Sequence, residues 1–138
     1  EWRDSLRAGV QFYHEPTGLP VKGGVDDIWM GRDGKLFVVD YKATSKEGEV
    51  NLDAAWQDGY KRQMEVYQWL LRHNSFVVSD TGYFVYANGR TDREAFDGKL
   101  EFDVKVIPYT GDDGWVEPTL FKIKECLEEK EIPAAGTD

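Results

Sequence analysis

Alternating apolar and polar residues predict a series of β-strands in the first third of the chain. A strand over residues 10–14 is followed by the turn sequence EPTG and by a second strand over residues 21–30. The sequence GRDG then predicts a three-residue loop over residues 32–34, in which Gly34 adopts a left-handed conformation. This loop would close a hairpin onto a further strand over residues 35–42.

From about residue 53 to residue 73 the apolar spacing changes to that of a long α-helix. The residues near one helical face are Trp56, Tyr60, Gln63, Tyr67 and Leu70 or Leu71. A strand over residues 83–88 comes next, and the intervening helix predicts that it lies parallel to the strand over residues 35–42, through a right-handed crossover.

Two further elements complete the pattern, and one more is predicted at the start of the chain. Residues 100–109 alternate clearly as a strand, and Pro118 begins a C-terminal helix. Residues 1–8 are interpreted as the end of a helix. The predicted fold class is therefore α/β, a mixed β-sheet flanked by helices.

The strand over residues 35–42 ends in charged side chains although it begins as a core strand. In an extended strand Leu36, Val38, Asp40 and Lys42 point to the same face. Burying a carboxylate is costly unless a partner compensates its charge, and a bound cation is one such partner.

The hairpin register decides which acidic residue faces Asp40. A three-residue loop places Asp26 opposite Asp40, whereas a two-residue loop would place Asp27 there. Facing carboxylates, with Cα atoms roughly 4.5 to 5.5 Å apart, repel each other unless a positive charge lies between them. A hard divalent cation such as Mg²⁺ suits this gap, and Lys42 lies on the same face.

Length and composition predict one domain over residues 1–138, as a processed product or part of a longer chain. No apolar run approaches the roughly 18 residues of a transmembrane span, so no membrane association is expected. One cysteine, Cys126, excludes an internal disulfide and a multi-cysteine metal site within these residues. A cytoplasmic location is the expectation.

The net charge of −9 disfavours a polyanionic partner, but the charge is unevenly distributed. Residues 1–91 contain 11 Lys and Arg against 13 Asp and Glu, whereas residues 92–138 contain 6 against 13. A locally positive groove is therefore compatible with the sequence. The basic residues near the charged strand are Lys22, Lys42, Lys46, Lys61, Arg62 and Arg72.

Three motifs, GGVDDIW, VVDYKAT and QMEVY, together resemble the PD-(D/E)XK nuclease superfamily, in particular its RecB-type branch. The resemblance implies a restriction-endonuclease-like fold and favours Asp26 over Asp27. It also implies that Asp26, Asp40 and the Tyr41 carbonyl bind the metal. The catalytic residues that it implies are Asp26, Asp40, Lys42, Gln63 and Tyr67.

The function implied by this resemblance is a nuclease, dependent on Mg²⁺ or Mn²⁺, that hydrolyses phosphodiester bonds of DNA. An end-processing exonuclease in repair, phage or defence systems is expected, with DNA ends and a larger protein or complex as its partners. Relatives in this branch often have an upstream His or Glu, but His14 and Glu15 do not match that position well. Cys126 alone cannot hold an iron–sulfur cluster.

Simpler interpretations of the same residues stay open. An Asp-x-Lys pair is common on solvated sheet faces, and Gln63 with Tyr67 could be core residues. His14 is interpreted as structural, and Trp29, Trp56 and Trp69 as core or rim residues. The alternative functions are a catalytically inactive nuclease-fold interaction module and a metal-dependent hydrolase of small phosphate compounds.

Overall fold

A computed structural model describes residues 9–92, 94–95 and 97–136. β1 (Val10–His14) and β2 (Leu19–Gly23) form an antiparallel hairpin, in which Val10 pairs with Gly23. The prediction of one strand over residues 21–30 is wrong, because the chain leaves β2 at Gly23 and the next strand begins at Asp27 in a different sheet. The predicted helix over residues 1–8 lies outside the described residues.

The second sheet contains β3 (Asp27–Met30), β4 (Leu36–Thr44), β5 (Thr81–Gly89) and β6 (Phe102–Thr110), in that spatial order. β3 pairs antiparallel with β4, β4 pairs parallel with β5, and β5 pairs antiparallel with β6. The predicted mixed sheet and the predicted parallel pairing of β4 with β5 are confirmed.

The loop between β3 and β4 has the predicted three-residue form. The backbone N–H of Gly31 donates to the Lys35 carbonyl at 2.8 Å, and Gly34 has a φ of +79°. Glycine takes this conformation without a steric penalty, which most residues would pay. The loop length sets the β3–β4 register and thereby the residues that face each other across the two strands.

Two helices flank the sheets. A single 3₁₀ turn (Ala55–Gln57) precedes α1 (Asp58–His73), so the predicted helix is regular only from Asp58. α2 (Val116–Glu128) begins two residues before Pro118, which lies in its first turn, where the missing N–H costs nothing. In the part of the chain that the structure describes, no helix is long and apolar enough to span a bilayer.

The core lies between α1 and one face of the four-stranded sheet. Fully buried side chains of the sheet, Val38 and Phe84, belong to the same cluster as Met64, Leu70 and Leu71 of α1. Each buried side chain of this size stabilises the fold by about 1.5 to 3 kcal/mol. This packing holds α1 above the end of β4.

A buried carboxylate fixes α1 to the end of β6 and to the connection that follows it. Glu65 accepts hydrogen bonds from the Tyr109 hydroxyl at 2.6 Å, the Trp115 indole N–H at 2.6 Å and the Asp112 backbone N–H at 3.2 Å. Further along the helix, Arg72 forms ion pairs with Asp80 and Asp113. These contacts fix the position of α1, and with it the helical face that carries Gln63 toward β4.

Candidate active site

Asp26 lies one residue before the start of β3, beside the charged end of β4. The pairing of Asp27 with Val39 continues by one step to place Asp26 opposite Asp40, as the three-residue loop predicts. The Asp26 carboxylate accepts a hydrogen bond of 3.0 Å from the backbone N–H of Tyr41. Asp27 instead accepts from the Tyr41 hydroxyl at 2.7 Å, so the two neighbouring carboxylates make different contacts.

Asp40 is almost fully buried, with 2% of its surface exposed. Burial raises the pKa of its carboxyl group, the nearby Lys42 ammonium opposes this change, and the Asp26 carboxylate adds to it. One oxygen, Oδ2, lies 2.7 Å from Lys42 Nζ. This short contact pairs the buried carboxylate with the ammonium, but its angle is not that of a well-formed hydrogen bond, so the oxygen is incompletely satisfied.

The backbone of Tyr41 determines where its carbonyl oxygen is directed. In an antiparallel pair, the N–H and C=O of a hydrogen-bonded residue point toward the same neighbouring strand. The Tyr41 N–H points toward Asp26, and the β3–β4 ladder ends at the pairing of Asp27 with Val39. The Tyr41 carbonyl is therefore directed to the same edge as Asp26, beyond the last paired residues.

The oxygen atoms present at this edge fit a Mg²⁺-type ion. Among the described residues there is no cluster of three or more Asp, Glu, His or Cys side chains that could hold a metal. Mg²⁺ does not require one, because it is commonly held by one or two carboxylates together with waters and substrate phosphates. Two neighbouring carboxylates, one of them almost fully buried, share the single Lys42 ammonium, and this excess of negative charge is the observation that favours a further cation here.

The Lys42 side chain crosses from β4 to α1. Its ammonium lies 2.7 Å from Asp40 Oδ2, donates to Gln63 Oε1 at 3.4 Å, and lies 4.3 Å from the centre of the Tyr60 ring. Only 18% of the side chain is exposed. The structure thus brings the predicted Lys42 together with Asp40 on one side and with the helix on the other.

The helix motif forms a connected pair. Gln63 Nε2 donates to the Tyr67 hydroxyl at 2.7 Å, which leaves Gln63 Oε1 facing Lys42. Burial raises the pKa of the Tyr67 hydroxyl. Both predicted helix residues therefore lie at the site, although Tyr67 is also a core residue with 7% exposure.

Gly23 makes room for the Tyr67 ring, which the sequence interpretation did not include. A Cβ atom at Gly23 would lie 2.6 Å from Tyr67 Cε1 and 3.2 Å from Leu70 Cδ1. A Cβ atom at Gly24 would meet nothing within 4 Å. The two consecutive glycines before Asp26 could have indicated this contact. A close approach of another side chain to the backbone explains the first glycine, Gly23, and does not explain the second.

Two tyrosines beside Lys42 were also missed as possible site residues. Tyr60 lies under the ammonium, and Tyr86 is the register partner of Lys42 on β5, with 3% exposure. Burial raises the pKa of the Tyr86 hydroxyl, which accepts a hydrogen bond from Gln57 at 3.4 Å. The spacing of Tyr60 three residues before Gln63 could have identified the first of them.

Other candidates lie away from these residues. His14 is buried at the turn end of the β1–β2 hairpin, whereas Gly23 and the chain leading to Asp26 lie at the opposite end. His14 contacts Thr17 and Glu117. Its structural interpretation fits these contacts. Trp69 is a core residue with 3% exposure, and Trp29 is a partly exposed rim residue. The Trp56 side chain lies outside the part of the chain that the structure describes.

Part of the predicted basic set is already paired. Lys61 forms an ion pair with Asp58, and Arg72 forms ion pairs with Asp80 and Asp113. These pairings reduce the positive charge that α1 offers to a polyanion.

Comparison with known proteins identifies a family. A model of the PD-(D/E)XK nuclease superfamily matches residues 2–131. No curated protein matches the chain. A solved structure titled "Crystal structure of SSO0001" is similar at 21% identity and a TM-score of 0.44; the match covers 83% of this chain and 45% of that one, so this chain spans less than half its length.

Proposed function

Because the chain belongs to the PD-(D/E)XK nuclease superfamily, we propose that it is a divalent-metal-dependent nuclease that hydrolyses phosphodiester bonds of DNA. The observation that carries this proposal is the meeting of Asp26, Asp40 and Lys42 at the end of β4, where two carboxylates and one ammonium lie together and Asp40 is almost fully buried. In this restriction-endonuclease-like α/β fold, Asp40 and Lys42 lie on β4 and Asp26 lies directly before β3.

The proposed metal site consists of Asp26, Asp40 and the Tyr41 carbonyl, with Mg²⁺ or Mn²⁺ as the ion. When bound, such an ion polarises the scissile phosphate and lowers the pKa of a coordinated water. Asp26 is oriented for this role by the Tyr41 N–H, and Asp40 is held by burial in the sheet.

Lys42 would stabilise the negative charge that develops around the phosphorus. Its ammonium is held in a mostly buried position, where an electrostatic contribution is larger than in water. Gln63 would hold this ammonium through Oε1, and Tyr67 would fix the orientation of the Gln63 amide. In this proposal the helix motif, Gln63 and Tyr67, positions the Lys42 ammonium and does not itself act on the phosphate.

DNA ends are the proposed substrate, with an exonuclease of the RecB-type branch as the specific assignment. The order and spacing of GGVDDIW, VVDYKAT and QMEVY support it. By the same analogy, we place the enzyme in repair, phage or defence processes, as part of a larger protein or complex.

Metal binding is the first test. We expect millimolar Mn²⁺ to raise the melting temperature of the wild type, because binding to the folded state alone stabilises it. Asp40→Asn should abolish this gain, and Asp27→Asn should keep it, since Asp27 bonds to the Tyr41 hydroxyl instead. A wild-type melting temperature that Mn²⁺ leaves unchanged would contradict the proposed site.

Cleavage is the second test, with end-labelled single- and double-stranded DNA and closed circular DNA as substrates. With Mn²⁺ we expect a ladder or mononucleotides from DNA that has ends and no cut in closed circles. Cleavage of closed circles would contradict exonuclease action. Turnover of small phosphate compounds with intact DNA would indicate a hydrolase of another class.

A second candidate function is an inactive interaction module with the nuclease fold. The net charge of −9 and the local pairing of Lys61 and Arg72 favour it, because both weaken attraction to a polyanion. An absence of Mn²⁺ binding by calorimetry, together with uncut DNA, would support this candidate over the nuclease.

A further inference from the structure

The Lys42 ammonium has three partners, of which two are uncharged. Asp40 is anionic, whereas Gln63 Oε1 and the Tyr60 ring hold the ammonium through partial charges. A carboxylate partner cancels most of the field of a cation, but an amide oxygen or a ring face leaves the net positive charge in place. Asp40 therefore offsets much of the ammonium charge, whereas the two neutral partners hold the ammonium without adding further negative charge.

Tyr60 and Gln63 reach the same atom because of their spacing on α1. Residues three positions apart lie on one helical face, and here both contact Lys42 Nζ from the α1 side. Tyr60 is half-buried and packs against the core cluster, so its ring has little freedom to turn away. The contacts of Glu65 fix the helix that carries the ring.

We propose that Tyr60 is a positioning residue, whose ring face holds the Lys42 ammonium at the site. This inference rests on the proposed function, since it assigns Tyr60 a part in the same reaction. The attraction comes from the negative face of the ring, so the inference requires an aromatic residue at position 60.

Substitutions at residue 60 test the inference in the full chain with Mn²⁺ and end-labelled DNA. Tyr60→Phe should retain kcat within about twofold, and Tyr60→Leu should lower kcat about tenfold with little change in KM, an effect in the range known for partly desolvated cation–π contacts. Tyr13→Leu is the matched control, because Tyr13 lies on β1 and is 53% exposed. Equal kcat values for the Leu and Phe variants at residue 60 would overturn the inference.

A graded series separates ring electrostatics from packing. Phenylalanines with one, two and three fluorine atoms at residue 60 keep the ring shape while they weaken its negative face. We expect log kcat to fall with each added fluorine atom. A ring with a purely structural role would give the same kcat for all three variants, and that result would overturn the inference.

A readout without catalysis keeps this test separate from the proposed function. The Lys42 Cε protons should show an upfield ring-current shift by NMR in the wild type and in Tyr60→Phe, and the shift should disappear in Tyr60→Leu. Its absence from the wild type would overturn the placement of the ring. A wild type that shows the shift but cuts no nucleic acid would instead overturn the proposed nuclease function.

Discussion

Replacing Lys42 with Met removes the positive charge that lies 2.7 Å from the buried Asp40 carboxylate and keeps an unbranched side chain of similar reach. Removing one partner of a fully buried ion pair costs about 3 to 5 kcal/mol. Lys42 keeps 18% of its side-chain surface, so solvent screens the pair in part. We therefore expect a loss of about 2 to 3 kcal/mol in the metal-free protein, or roughly 6 to 15 °C in melting temperature.

Two further measurements identify the origin of this loss. The double variant Asp40→Asn with Lys42→Met removes both charges, so it should recover most of the stability that the single variant loses. Mn²⁺ should raise the melting temperature of Lys42→Met by more than that of the wild type, because the ion would supply the missing positive charge. The control is Lys35→Met, since Lys35 is exposed and lies 4.0 Å from an exposed Asp33.

Single-turnover cleavage by the same variant tests catalysis. With Mn²⁺ present, we expect a fall of a hundredfold or more, equal to about 2.7 kcal/mol of transition-state stabilisation. Wild-type cleavage would refute the catalytic assignment of Lys42. An unchanged melting temperature in the metal-free variant would refute the reasoning about the buried pair.

Three other predictions follow from the contacts of α1. Gln63→Ala should lower the cleavage rate at least tenfold and change the free energy of unfolding by less than about 1 kcal/mol. A variant that is less stable but fully active would show that Gln63 serves packing. Gly23→Ala should lower the free energy of unfolding by about 1 to 3 kcal/mol in thermal unfolding, since the added Cβ would overlap Tyr67. The control Gly24→Ala should leave stability unchanged, and equal effects of the two substitutions would contradict the overlap. Burial and the hydrogen bond to Glu65 raise the pKa of Tyr109 to about 12. The stabilising contribution of this group is therefore full below about pH 10 and should be lost between about pH 10 and 12, and alkaline unfolding of Tyr109→Phe should lack this component.

Local patterns in the sequence predicted most of the elements around the site. The alternation in β4, the three-residue loop with Gly34 and the helical spacing of Gln63 and Tyr67 are all confirmed. Each of these depends on residues near one another in the chain, and the loop length alone set the register that places Asp26 opposite Asp40. The roles of these residues in metal binding and catalysis stay predictions.

Only the tertiary structure decided how these elements meet. The division of the predicted 21–30 strand between two sheets, the fit of Tyr67 against Gly23 and the position of Tyr60 under Lys42 could not be read from local patterns. Each is a contact between segments distant in the chain, and its geometry depends on how α1 packs on the sheet. A pattern shows which face of an element is apolar, but the distance between two side chains on different elements is set by the packing of the whole core.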